Sequence, residues 1–176
     1  RHAMEVNTTG SRNSALGRAA LNNNSTGNNN VAVGYAALSA NTTGTQNVAV
    51  GYGACDNTTT LGNLTAVGYE ACGAGAQGAD ATAFGSQALY NNTGASNNAF
   101  GYANLYNNTS GYQNTSMGSI ASYNSTTAIR NTTLGYAALY SASTASDCVS
   151  IGWYANYSLT TGSNKVSIGR SAGQSL

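Results

Sequence analysis

A six-residue phrase, Asn30-Val31-Ala32-Val33-Gly34-Tyr35, comes back as Asn47-Val48-Ala49-Val50-Gly51-Tyr52. It returns more loosely as Thr65-Ala66-Val67-Gly68-Tyr69 and Asn97-Asn98-Ala99-Phe100-Gly101-Tyr102. Its glycine gives an anchor series: Gly17, Gly34, Gly51, Gly68, Gly85, Gly101, Gly118, Gly135, Gly152 and Gly169. Eight of the nine intervals are 17 residues, and only Gly85 to Gly101 is 16. So short a fixed period, held over nearly the whole chain, describes a stack of equivalent coils and not a conventional globular core. The expected fold is all-β, a parallel β-solenoid of about ten coils of 17 residues. Stacked at about 4.8 Å per coil, these make a rod of roughly 45–50 Å.

The columns fill in the coil. The residue before each anchor is large and apolar, from Leu16, Val33 and Val50 through Phe84 and Phe100 to Ile168. The residue before that is small: Ala15, Ala32 and Ala49 early, Ser116, Thr133 and Ser167 late. Large and small columns therefore lie on opposite faces of a strand. The small face permits close approach of another backbone, either the far side of the same coil or a neighbouring chain. A second short strand is expected at Ala37-Leu38, Ala54-Cys55, Ala71-Cys72, Ala88-Leu89 and Ala138-Leu139. Asn-Thr-Thr-Gly turns follow, as at Asn41 to Gly44, where Asn and Gly tolerate positive φ. Residues 1–5 read as a cloning remnant or an unstructured start, and 6–176 as one repeat domain.

Charged residues are 6% of the chain and the net charge is +1, so neither nucleic acid nor an anionic membrane is an implied partner. No apolar run nears the roughly 18 residues of a membrane-spanning helix. With about three sizeable apolar side chains per coil the core is thin, and association with further copies is the favoured reading.

The phrase Asn-Val-Ala-Val-Gly-Tyr, with Ala-Leu and an Asn-Thr-Thr-Gly turn, resembles the head repeats of trimeric autotransporter adhesins and the repeat regions of phage tail fibres. Asn131 to Tyr140 carries the second likeness best, and the resemblance as a whole covers about residues 13–176. The resemblance implies a homotrimer of left-handed β-rolls or β-helices, intertwined or side by side, with the rest of the fibre as a further partner. It also implies an extracellular place, on a virion tail fibre or a bacterial surface, and attachment to a host or prey cell through a glycan or envelope component. No cofactor or metal is expected.

Two aromatic columns are the candidate binding surface. One follows the anchors: Tyr35, Tyr52, Tyr69, Tyr102, Tyr136 and Trp153. The other lies five residues after them: Tyr90, Tyr106, Tyr123, Tyr140 and Tyr157. Ladders of rings stabilise stacked strands, and they can also pack on sugar C–H faces. The adjacent Trp153 and Tyr154 are the sharpest candidates for contact. Two irregular stretches, Glu70 to Asp80 and Ser119 to Arg130, read either as binding loops or as drift in tolerant turns.

Arg130 and Asp147 share a column one period apart and are expected to form an inter-coil ion pair of little energetic weight. Cys55 and Cys72 also share a column, within disulfide range, although stacked parallel side chains are poorly aimed for the bond. Free buried thiols are the expectation. The single histidine, His2, leaves no Ser-His or Cys-His nucleophile. Asp56 with Glu70, or Glu70 with Asp80, could approach the spacing of glycosidase carboxylates, but nothing builds a cleft around them. Catalysis is not expected. Within the fibre class, a binding head and a passive shaft both remain open. Thr pairs such as Thr42-Thr43, Thr126-Thr127 and Thr160-Thr161 add an ice-binding solenoid as a minor alternative.

Overall fold

The computed structural model describes residues 2–75 and 78–174; Arg1, Ala76, Gln77, Ser175 and Leu176 lie outside it. Ten three-residue strands run through the described residues: β1 Ser14–Leu16, β2 Val31–Val33, β3 Val48–Val50, β4 Thr65–Val67, β5 Thr82–Phe84, β6 Asn98–Phe100, β7 Thr115–Met117, β8 Thr132–Leu134, β9 Val149–Ile151 and β10 Val166–Ile168. They form one parallel sheet in strict chain order, each strand paired with the next. Ala32 lies over Ala49 and Ala49 over Ala66, so each period is one turn of a β-solenoid. The short interval does not break the register, since Ala83 still faces Ala99. The missing residue falls in a turn, where Asn92-Thr93-Gly94 stands for Asn41-Thr42-Thr43-Gly44.

The strand centre points inward. Ala32, Ala49, Ala66, Ala83 and Ala99 are fully buried, and Ser116, Thr133 and Ser150 continue the column with almost no exposure. Of the two places the small face could meet another backbone, the far side of its own coil is the one it occupies. The first and third strand positions point outward. At the third, Leu16, Phe84, Met117, Leu134 and Ile168 remain exposed despite their size.

Directly after the strand sits the anchor glycine. Gly101 has a φ of +136°, and a Cβ there would lie 2.5 Å from the carbonyl oxygen of Gly118. Only glycine combines that dihedral with so close an approach of the next coil.

The expected second strand is absent. At Ala36 and Leu38, φ is 55° and 50°, and the same two columns repeat left-handed values at Gly53 and Cys55, at Ala103 and Leu105, and at Ala137 and Leu139. Residues alternating through the left-handed region cannot be extended. The segment is a run of tight turns, with Asp56 N–H donating to Gly53 O at 3.4 Å and Thr58 N–H to Cys55 O at 3.2 Å. Between these turns, Leu38 N–H reaches the next coil at Ala54 O, 2.9 Å, and Gly53 N–H reaches the previous one at Tyr35 O, 2.9 Å. Such use of backbone donors explains why a 176-residue chain holds no proline. The left-handed Leu21, Leu38, Leu89, Leu105 and Leu139 are fully buried, so the strain of the turn is offset by core burial.

The other half of the interior is asparagine. Asn47 donates from Nδ2 to Leu61 O at 2.9 Å, while its Oδ1 accepts the N–H of Leu64 at 3.0 Å. Asn30 does the same for Gly44 O and Asn47 N–H, and Asn114 for Ala128 O and Asn131 N–H. A second ladder runs through Asn41, which donates to Asn24 Oδ1 at 2.8 Å and to Gly44 O at 3.2 Å. These asparagines satisfy backbone groups that the turns leave without a partner. The turn residue Asn41, expected to serve by tolerating positive φ, serves instead as a buried cross-brace.

Near the start the coil pattern is already present. Met4 N–H donates to Ala20 O at 3.0 Å, and Met4 packs against the core in the column of Leu21.

Candidate functional site

Rung-to-rung pairing turns sequence columns into ladders. Tyr35, Tyr52 and Tyr69 stack with ring centroids 5.0 and 5.3 Å apart. Tyr90, Tyr106, Tyr123, Tyr140 and Tyr157 stack without interruption at 5.0, 5.1, 5.3 and 5.0 Å. Their ring planes stay within 18° of parallel, so each ring covers its neighbour's face. Burial raises the phenols of Tyr106, Tyr123 and Tyr140, so all three remain protonated donors at neutral pH.

The two ladders converge at one place. Tyr154 occupies a left-handed position (φ 57°), where every other coil holds a non-aromatic residue, and its ring stands across the gap between the columns. It meets Trp153 at 3.9 Å, Tyr157 at 4.7 Å and Tyr136 at 5.7 Å, in each case edge to face. Trp153 and Tyr154, the sharpest candidates for ligand contact, thus share one ring cluster with Tyr136 and Tyr157. Arginines close the first column at both ends, Arg18 over Tyr35 at 5.8 Å and Arg170 over Trp153 at 4.7 Å.

Over their described residues the irregular stretches keep the coil; Ala76 and Gln77 of the first lie outside those residues. In the first, Glu70 and Asp56 both flank Gly53: Glu70 Cγ would lie 3.5 Å, and Asp56 Oδ2 3.7 Å, from a Cβ at that glycine. Burial first, then the Glu70 charge, raises the Asp56 carboxyl above its ordinary range. Glu70 Oε2 accepts from Gln87 Nε2 at 3.1 Å, and interaction with the same carboxylate raises the Tyr69 phenol. Asp80 instead accepts from Asn63 Nδ2 at 2.9 Å. In the second stretch Arg130 and Asp147 form the expected ion pair, a two-pronged contact at 2.6 and 2.8 Å that lowers the Asp147 carboxyl. Cys55 and Cys72 are free and buried, as expected, and Cys148 is free and buried as well. The Cys72 thiol is pushed well up by its hydrogen bond with Cys55 and by burial.

In two of the threonine pairs a hydroxyl is already taken up by the next coil. Thr42 Oγ1 donates to Thr59 O at 2.9 Å and Thr126 Oγ1 to Ser143 O at 3.0 Å, each tied to the next coil. Among the described residues there is no enclosed pocket, no grouping of three or more metal-ligating side chains, and no helix long and apolar enough to cross a membrane. What the surface can do chemically is present aromatic edges, phenol donors and neutral polar groups in register along a rod. Comparison of the chain with protein-family models, curated sequences and solved structures returned no match.

Proposed function

We propose that this chain is a segment of a trimeric extracellular fibre, on a virion tail or a bacterial surface, that attaches to a target cell by recognising glycans. The observation that carries the reading is the outward seam. The third strand positions expose Leu16, Phe84, Met117, Leu134 and Ile168 along the length of the rod. A monomeric soluble protein seldom exposes so extended an apolar strip, whereas an obligate assembly buries it. Copies related by an axis parallel to the rod would cover the strand side and leave the tyrosine ladder of Tyr90 to Tyr157 facing outward. Stacked phenols with their hydroxyls in register suit the alternating hydroxyls of a saccharide.

Glycan-array binding by the purified assembly tests this reading. Binding that falls at least tenfold in Tyr154→Ala is the expected result. Silence on the array from an intact trimer would favour the second reading, a passive shaft, which the even repetition of the coils supports.

A further inference from the structure

We propose that a neutral pyranose binds in a slot between Tyr69 and Tyr102, a subsite that deepens the glycan reading and rests on it. The column after the anchor glycines runs Tyr69, Ser86, Tyr102, Ser119, Tyr136. Backbone bonds hold these residues one above another: Gln87 N–H to Tyr69 O at 2.8 Å, Ala103 N–H to Ser86 O at 2.9 Å, Ile120 N–H to Tyr102 O at 2.8 Å, and Ala137 N–H to Ser119 O at 3.1 Å. Where adjacent rungs both carry tyrosine, the rings fill the spacing at 5.0 or 5.3 Å. At Ser86 and at Ser119 one ring is missing. Two rungs then separate the flanking rings by about 10 Å. A ring inserted midway sits about 5 Å from each wall, inside the range over which rings pack. Tyr102, which faces both gaps, has 56% of its surface exposed.

The two gaps differ at their edges. Beside Ser119 stands Ile120, an apolar neighbour. Beside Ser86 stands Gln87, donating to Glu70, whose carboxylate also raises the phenol of the adjacent Tyr69. A carboxylate, an amide and two hydroxyls next to a pair of ring faces match a group that is apolar above and below and polar around its rim. A pyranose has that distribution, with axial C–H faces and equatorial hydroxyls. A phenylalanine ring from another protein would strip water from Glu70 and return no hydrogen bond. Asp56 and Glu70 together make the edge anionic, so a uronic or sialic acid is disfavoured there and a neutral hexose is favoured.

Saturation-transfer NMR on the full chain, with methyl β-D-glucopyranoside and methyl β-D-galactopyranoside as probes and methyl β-D-glucuronide as the charged comparison, tests the slot. Ser86→Tyr is the decisive variant, because it restores the continuous stack and so fills the slot without disturbing the coil. The expected result is transfer to at least one neutral hexoside, at least tenfold weaker binding of the glucuronide, and loss of transfer in Ser86→Tyr with the circular dichroism unchanged. If Ser86→Tyr binds the hexosides as well as the parent, the slot is refuted; continued glycan-array binding that depends on Tyr154 would then leave the broader reading standing. No binding by the parent on either assay overturns both. A fall in assembly mass on Ser86→Tyr would show that a neighbouring chain's side chain occupies the slot, and would also overturn the proposal.

Discussion

Replacing Asn47 by alanine should cost far more than its size suggests, because the side chain braces two coils. Its Nδ2 and Oδ1 satisfy Leu61 O and Leu64 N–H, and both Asn47 and Leu64 are fully buried. Asn47→Ala leaves a buried acceptor and a buried donor without partners, at about 1–3 kcal/mol each. A water entering the vacated space would recover part of this, which places the expected loss at about 2–4 kcal/mol. Asn23 offers the comparison: it is the same residue type on the same scaffold, but exposed. Asn23→Ala should stay within about 0.5 kcal/mol. Urea unfolding followed by far-ultraviolet circular dichroism, with all three proteins at one fixed chain concentration, measures both values. If Asn47→Ala proves as mild as Asn23→Ala, the buried ladder does not brace the rungs and the reasoning fails.

Other substitutions probe other parts of the coil. Gly101→Ala forces a Cβ against Gly118 O at a φ of +136°, and should lower stability by at least about 2 kcal/mol; a neutral effect in the same unfolding assay would contradict the close approach. The second asparagine ladder stops at Ser125, where Asn108 Oδ1 and the Ser125 hydroxyl are both buried without partners. Ser125→Asn should supply the missing donor and raise stability by about 1 kcal/mol, and a loss would show that the column cannot extend. For Asp56, burial and the Glu70 charge raise the folded-state carboxyl, so its favourable contribution is present at low pH and is lost as pH rises through that raised value. Asp56→Asn should therefore raise the urea midpoint at pH 7, with the gain shrinking toward pH 3; a gain that grows on acidification would reverse the sign.

The period was legible because a solenoid writes its geometry into the sequence. Identical coils need identical residues at Gly51, Gly68 and Gly85, and the alternation of Val33 against Ala32 identifies a strand without any knowledge of the rest. The paired column of Arg130 and Asp147 was readable for the same reason. Scarcity of charge has a matching physical cause, since stacking places like residues over like at about 4.8 Å and like charges there repel.

Other features were hidden by rules that hold in ordinary proteins. Ala-Leu after a glycine suggests an extended segment, because leucine rarely adopts positive φ; only the tertiary stack makes Leu38 and Leu105 do so. Asparagine in an Asn-Thr-Thr-Gly phrase suggests a surface turn, so Asn41 and Asn47 were not expected in the core. The signal was nonetheless present: Asn13, Asn30 and Asn47, then Asn97, Asn114 and Asn131, recur at the coil period, which a surface residue under no packing constraint need not do. The convergence of both tyrosine columns on Tyr154 depended on a left-handed turn, and the strand-like reading of that segment hid it.

The outward seam of Leu16, Phe84, Met117, Leu134 and Ile168 is the surface a trimer would cover. Sedimentation equilibrium of the purified chain at micromolar concentration measures whether copies cover it. The predicted result is a single species of three times the 17.7 kDa chain mass, which Leu134→Asp combined with Met117→Asp dissociates while the far-ultraviolet spectrum is retained. A stable 17.7 kDa monomer at that concentration would contradict it.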